Sequence, residues 1–307
     1  MKRILNLITG AFLCLAVFSV CSLADNKINV VTTTLDAADF VKQIGGEKVS
    51  VYSIHNGQYD FHFFEPRPSE VIKLKKADVL VVYGLTFDAW LASLVDAARN
   101  PNIFFGATGY IDMADGCHAM AVPVGSRVDK RMGDVHPFGA CGYLYTLENA
   151  KNAVENIYRG LVRVDSENAE YYEKNKNEYL LKLEETFNKL KQKTSEFHGT
   201  NFIIFHESWL YFADTFGFNI VGALEPKPGI PPSPAHLSKL IDTIKKENVR
   251  FILAEPYYPR KPIKFVSERT GIKEITVAIY CGGIKNKTTF IENIEYTVDT
   301  IIETLKK

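Results

Sequence analysis

The chain has 307 residues, of which 46% are hydrophobic and 23% are charged, a composition that excludes collagen-like, low-complexity and disordered proteins. Lys and Arg together number 36, and so do Asp and Glu, so the formal net charge is zero. A nucleic-acid-binding protein is expected to carry a basic excess, and this chain has none. At roughly 100–200 residues per domain, the length predicts about two domains.

The first 24 residues have the layout of a cleaved secretory signal: a short basic start, an apolar run, and small residues at Ser22 and Ala24 before the cleavage point. The alternative is an uncleaved membrane anchor, but the run is shorter than the ~20 apolar residues that a span needs. Cys21 would suit a lipoprotein attachment site, although the preceding Val20 is bulky where a small residue is expected. We therefore expect an exported, periplasmic protein.

Strands alternate with helices along the rest of the chain, which predicts βαβ units and mainly parallel sheets. In the first half, strands are predicted at residues 28–33, 49–54, 79–83 and 102–105, with helices at 37–44 and 69–77. Residues 107–145 show little periodicity and are interpreted as a long loop region. In the second half, strands are predicted at 201–205, 218–222, 250–254 and 275–279, with helices at 208–216, 234–248, 263–270 and 289–305.

A long amphipathic pattern separates the two halves. Apolar residues keep helical spacing from Ser166 to Phe197, and the intervening positions are charged. At ~1.5 Å per residue, such a helix would be about 45 Å long, enough to run the length of a two-lobed protein. We therefore divide the chain into a signal peptide (1–24), an N-terminal lobe (25–165), a linking helix (166–197) and a C-terminal lobe (198–307).

Three of the seven histidines lie where a ligand site could form. His62 and His206 follow predicted strands, and His136 lies just before the helical pattern resumes. Ligands of open α/β sheets bind outside the carboxyl ends of the strands. Neutral imidazole is the commonest metal donor, and three imidazoles with at most one carboxylate suit zinc better than manganese. From the residues alone, each histidine could instead be a structural or surface side chain.

Three cysteines remain after cleavage. Cys117 and Cys141 could form a disulfide in an exported protein, with Cys281 unpaired. All three could equally be buried small apolar side chains. Thiolate ligation of zinc lacks the support of a CxxC pair.

Four segments in order resemble the metal-binding solute-binding proteins of zinc and manganese ABC transporters. They are YDFHFFEPRPSEVIKLKKADVLVVYGLTFDAWL, GDVHPFGACGYLYTLENAKNAVENI, FHESWLYFADTFGFNIVG and PPSPAHLSKLIDTIKKENVRFILAEP. The first contains Asp60 two residues before His62, followed by Glu65-Pro66 and a helix-starting Pro68-Ser69. The similarity extends from about residue 28 to the C-terminus.

This resemblance implies two βα lobes joined by a rigid helix, with a metal held between them. By motif match, the ligands would be His62, His136 and His206. The third position is typically His in zinc binders and Glu in many manganese binders, so His206 favours zinc, with manganese, copper and iron as alternatives. The expected function is delivery of zinc to a membrane permease by a monomeric periplasmic protein that is not an enzyme.

The chain departs from the family pattern at the fourth ligand. The family often has an Asp shortly before the last helix, where our alignment places Thr288. Glu255, after a predicted strand, or a water molecule would take this position. Asp60 and Glu207 could instead orient imidazoles through their free N–H groups. The His-rich loop of many zinc-uptake members is also missing.

Two other functions are compatible with a three-histidine site. One is a zinc-dependent hydrolase in which the metal activates a water molecule, although no HExxH motif is present. The other is an exported adhesin or metal-sequestering protein that works without a transporter.

Overall fold

The computed structural model describes residues 27–121, 138–227 and 229–307. Two four-stranded sheets form in these residues, and all of their strand pairs are parallel. The first sheet contains β1 (Ile28–Thr32), β2 (Val49–Ser53), β3 (Val79–Val82) and β4 (Tyr110–Asp112) in the order β2-β1-β3-β4. The second contains β5 (Asn201–Ile204), β6 (Asn219–Ala223), β7 (Phe251–Ala254) and β8 (Lys273–Thr276) in the order β6-β5-β7-β8. The two lobes therefore share one topology.

The helices cover the sheets and connect the lobes. They are α1 (Leu35–Gly45), α2 (Glu70–Lys75), α3 (Ala92–Ala98), α4 (Leu147–Val164), α5 (Ala169–Thr194), α6 (Leu210–Phe216), α7 (Pro234–Lys246), α8 (Arg260–Thr270) and α9 (Phe290–Lys306). Four of them begin at a hydroxyl residue whose side chain accepts a backbone N–H of the first turn: Thr34, Thr146, Ser233 and Thr289. Within the described ranges, no helix has the length and apolarity needed to cross a membrane.

Helix α5 is the long helix that the sequence predicts. It has 26 residues, and a short 3₁₀ turn precedes and follows it. The helix packs against α1 and α4 on the side of the first sheet, and against α6 and α9 on the side of the second. Its buried face consists mainly of the periodic aromatic and leucine side chains Tyr172, Tyr179, Leu183, Phe187 and Leu190. Because one apolar face contacts both lobes, α5 fixes their separation. The predicted fold class is thus confirmed.

The prediction is wrong for the fourth strand of the first lobe. The segment around Phe104 and Phe105 forms no strand, because Pro101 opens a 3₁₀ turn there and the Phe105 side chain is 88% exposed. The edge strand is instead β4, inside the segment whose sequence predicts a loop. With three residues, β4 is too short to show the alternating pattern that indicates a strand.

Two buried carboxylates of α1 reach across to the second lobe. Asp36 accepts the backbone N–H of Cys281, at 3.3 and 3.4 Å from its two oxygens. Asp39 accepts the N–H of Phe290 at 2.9 Å, at the first turn of α9, and the hydroxyl of Tyr179 at 3.3 Å. Burial raises the pKa of Asp36 to about 6, although the hydrogen bonds from Cys281 partly oppose this. The junction between the lobes is therefore polar and desolvated.

Replacement of Asp36 by Asn should flatten the pH dependence of stability. The folded-state pKa of Asp36 lies above the unfolded value, so the native state binds the proton more tightly. Its contribution to stability is complete below about pH 4 and declines as the pH rises to about 6. The difference in unfolding free energy between D36N and the wild type should therefore shift by about 1 kcal/mol in favour of D36N as the pH rises from 5 to 7.

Urea unfolding at the two pH values measures this change. The control is D214N, which removes the same charge from an exposed position of α6. Parallel pH profiles for D36N and the wild type would contradict the prediction.

Candidate metal site

His62 lies in a 3₁₀ turn, Phe61–Phe63, within the connection that follows β2. Asp60 caps this turn, because its Oδ1 accepts the backbone N–H of His62 at 3.0 Å. The same oxygen is 2.7 Å from Nδ1 of the His62 ring. Phe61 is buried between the rings of Tyr83, Trp90 and other aromatic residues, and so anchors the turn in the first lobe. The turn therefore fixes both the position and the orientation of the imidazole.

His206 lies in the second lobe, two residues after β5, the counterpart of β1. Its Nδ1 is 2.8 Å from Oε2 of Glu225, which follows β6. The same Glu225 oxygen accepts the backbone N–H of Gly229 at 3.2 Å. Thus each imidazole has one carboxylate at Nδ1, and each carboxylate also accepts a backbone N–H.

The two rings meet across the junction of the lobes. The ring centroids of His62 and His206 are 4.9 Å apart, with an interplanar angle of 65°. Their side chains are only 5% and 6% exposed. A carboxylate at Nδ1 fixes the tautomer with the proton on that nitrogen, so Nε2 is the nitrogen that a metal would take. This carboxylate–histidine pairing is the usual environment of metal-binding imidazoles.

Asp60 is held as the anion by its histidine partner. Burial alone would raise the pKa of Asp60, but hydrogen bonds from His62 and the charges of the two histidines outweigh burial, and the pKa lies below its usual range. An ionised carboxylate makes the imidazole a stronger donor. The electrostatics of the pair therefore favour binding of a cation.

His136, the third histidine of the predicted set, lies outside the described residues. Within the ranges that are described, no group of three or more His, Cys, Asp and Glu side chains is placed to hold a metal ion. Residues 141 and 142 contact both lobes: Gly142 donates its N–H to the hydroxyl of Tyr83 at 3.2 Å, and the Cys141 thiol is 4.0 Å from the carbonyl oxygen of Glu207.

Glu255 is fully buried at the end of β7. Neither of its oxygens forms a hydrogen bond of ordinary geometry with a described residue, although Ser208 and Trp209 lie close enough to lower its pKa. Burial outweighs them and raises the pKa of Glu255 to about 8. A divalent cation nearby would favour the ionised form of this carboxyl.

One of the two imidazole-orienting carboxylates is predicted from the sequence. Asp60 has the role suggested for it, whereas Glu207 is exposed and Glu225 takes its place. Glu225-Pro226 begins two residues after the end of β6, and Glu255-Pro256 directly follows β7. A Glu-Pro pair shortly after the predicted strand at 218–222 is the signal that would have identified it.

The three cysteines within the described residues are unlinked. Cys117, Cys141 and Cys281 are all free thiols, so the structure lacks the disulfide between the first two. Burial raises the pKa of Cys117 to about 11 and that of Cys141 to about 12. These raised pKa values favour the thiol form of both groups at neutral pH.

Two parallel-sheet lobes, a rigid linking helix and paired histidines at the junction define a metal-binding solute-binding protein of an ABC transporter. The chain belongs to the family of the periplasmic component A of the zinc-uptake complex, ZnuA, whose family model matches residues 30–304. The family and function class inferred from the four sequence blocks are confirmed.

Curated relatives cover nearly the whole chain. The iron ABC transporter substrate-binding lipoprotein MtsA of Streptococcus pyogenes serotype M1 is 28% identical over 323 aligned positions, covering 100% of both chains. The manganese ABC transporter substrate-binding lipoprotein PsaA of Streptococcus pneumoniae serotype 4 is 26% identical, covering 92% of this chain and 90% of PsaA. Both are substrate-binding proteins of transporters rather than enzymes.

Solved structures share the fold. A zinc-bound ZnuA lacking residues 138–173 has a TM-score of 0.73 at 23% identity, covering 91% of this chain and 98% of that one. A manganese-bound periplasmic metal-binding protein from Candidatus Liberibacter asiaticus has a TM-score of 0.71 at 22% identity, and the match covers 91% of this chain and 100% of that one.

Removal of the charge from Glu225 should weaken metal binding. E225Q keeps the side-chain size but loses the anion at Nδ1 of His206, so the affinity for a divalent metal should fall roughly 10- to 100-fold. Competition with a chromophoric chelator measures the affinity. The exposed neighbour variant E207Q is the control, and equal affinities for both variants would contradict the role of Glu225.

Proposed function

We propose that this protein binds zinc between its lobes through His62, His136 and His206 and delivers the ion to the membrane permease of an ABC transporter. The observation that carries the proposal is the approach of His62 and His206, one from each lobe, to 4.9 Å between ring centroids. Each ring has a carboxylate at Nδ1. A third imidazole at this junction would complete a nitrogen-rich site of the kind that zinc prefers.

Family membership does not decide the metal, because the names of the relatives refer to iron, manganese or zinc. The donor set supports zinc. Imidazole nitrogen suits zinc, whereas manganese favours carboxylate and other oxygen ligands. His206 supplies nitrogen at the position where many manganese binders have Glu.

The charge of the ion would be balanced by acids behind the ligands. Asp60 and Glu225 contact the far side of the two imidazoles, and their side chains are 13% and 12% exposed. Two carboxylates offset the +2 charge that three neutral imidazoles leave in place. The fourth coordination position would go to a water molecule or to Glu255.

The near-complete burial of both rings bears on how the ion enters and leaves. With side chains only 5% and 6% exposed, His62 and His206 are reached only if the lobes or the surrounding loops move. We propose that the permease promotes this movement and so releases the ion. The protein would act as a monomer in the periplasm after cleavage of residues 1–24, or anchored by lipid at Cys21.

Removal of His206 should weaken zinc binding at least tenfold, because the site loses one nitrogen donor. Glu225 also loses the imidazole that it contacts. Isothermal titration calorimetry with H206A measures the loss. H198A, which removes an exposed histidine of the same lobe, is the control. Equal zinc affinity in H206A and H198A would contradict the assignment.

X-ray absorption of the zinc-loaded protein tests the ligand set. A site of imidazoles should give nitrogen or oxygen neighbours at ~2.0–2.1 Å with the outer-shell pattern of imidazole rings. Cys141 lies nearby but is protonated and buried. Sulfur neighbours at ~2.3 Å would therefore rule out the proposed donor set.

A further inference from the structure

We propose that a side-chain-free contact between two loops of different lobes positions His62 for metal binding. This contact, the glycine seam, consists of Asn56–Gly57 from the first lobe and Cys281–Gly283 from the second. The inference rests on the proposed function, since it assigns a positioning role at the same site. Its basis is geometric, because the two backbones are too close for any side chain between them.

The seam has no room for a Cβ atom on either side. A Cβ added to Gly57 would overlap the carbonyl oxygen of Cys281 and lie 2.7 Å from the amide nitrogen of Gly283. One added to Gly282 would overlap the carbonyl oxygen of Asn56. Gly57 and Gly282 also have φ angles of +78° and +83°, which other residues rarely adopt. The sequence therefore needs glycine here for space as well as for conformation.

On the first-lobe side, His55 connects the seam to the metal ligand. The N–H of Gly57 donates to Nδ1 of His55 at 3.1 Å, and Nε2 of the same ring is 3.1 Å from the carbonyl oxygen of Tyr59. Acceptance at Nδ1 and donation at Nε2 define one neutral tautomer. The ring is fully buried and packs edge-on against Phe61. His55 thus closes a compact loop that ends at Asp60, the residue that orients His62.

On the second-lobe side, the loop is held against the first lobe. Cys281 donates its N–H to Asp36 of α1, and Gly282 donates its N–H to the carbonyl oxygen of Lys287 at 2.6 Å. The loop can therefore move away from Gly57 only if it breaks the contact with a buried carboxylate. The backbone contact in the seam therefore sets the distance between the His62 loop and the second lobe, which carries His206.

The proposal predicts that an added methyl group at Gly57 impairs metal binding more than the backbone strain alone would do. The matched control is Gly106, in the same lobe, with φ of +79° and no atom within 4 Å of an added Cβ. Both G57A and G106A place alanine at the same unfavourable φ. Only G57A pushes the two loops apart, so we expect zinc affinity at least tenfold weaker in G57A than in G106A.

A second pair of variants tests the other side of the seam. G282A should lower zinc affinity at least tenfold relative to G199A, whose φ is +78° and whose added Cβ has open space around it.

The spectrum of bound Co²⁺ separates positioning from a structural role. If the seam positions His62, the d–d bands of G57A should shift towards those of H62A, whereas a purely structural defect would lower the unfolding temperature and leave the bands unchanged.

Zinc affinities of G57A and G282A within twofold of their controls would overturn the proposal. Failure of both variants to fold, judged by cooperative thermal unfolding of the metal-free protein, would also overturn it, since the seam would then be structural. Absence of zinc binding by the wild type would instead refute the proposed function. Wild-type binding together with unaffected seam variants would refute only the positioning role.

Discussion

The site depends on the pairing of an imidazole with a carboxylate, made once in each lobe. The Asp60–His62 and Glu225–His206 pairs fix ring orientation and tautomer through distances of 2.7 and 2.8 Å at Nδ1. Each carboxylate is held in turn by a backbone N–H. The donor atoms are therefore preorganised before any ion arrives, and a metal need not supply the free energy of ordering them.

Preorganisation within each lobe is useful only if the lobes are held in a defined relation. Helix α5 fixes the relative position of the lobes over a long distance, because its single buried face packs against helices of both lobes. Asp36 and Asp39 hold the lobes together locally, because they accept backbone N–H groups from the second lobe. Wide separation of the lobes would break these cross-lobe hydrogen bonds. The structure thus favours small rearrangements near the site over wide opening.

Much of this architecture is visible in the sequence because it follows from strong local patterns. The long helix shows its buried face as aromatic and leucine residues at helical spacing, and His206 directly follows a strongly apolar strand. Glu225 and β4 were missed for physical reasons. Glu225 acquires its role only when β5 and β6 become neighbours in the sheet, and β4 is held by pairing with β3 rather than by its own pattern. The glycine seam depends on a contact between residues more than 200 positions apart.

The distribution of charge around the two imidazoles bears on which kind of ligand the protein favours. The two imidazole partners are acids, so the region behind the rings favours a cation over a neutral ligand. In the proposed site, the donors facing the ion would be nitrogens, which discriminate against hard cations that prefer oxygen. With the carboxylates behind the imidazoles, the proposed site would separate two tasks: the acids would balance the charge of the ion, while the nitrogens would select its chemistry. A carboxylate in direct contact with the ion would perform both tasks at once and would shift the preference towards harder metals.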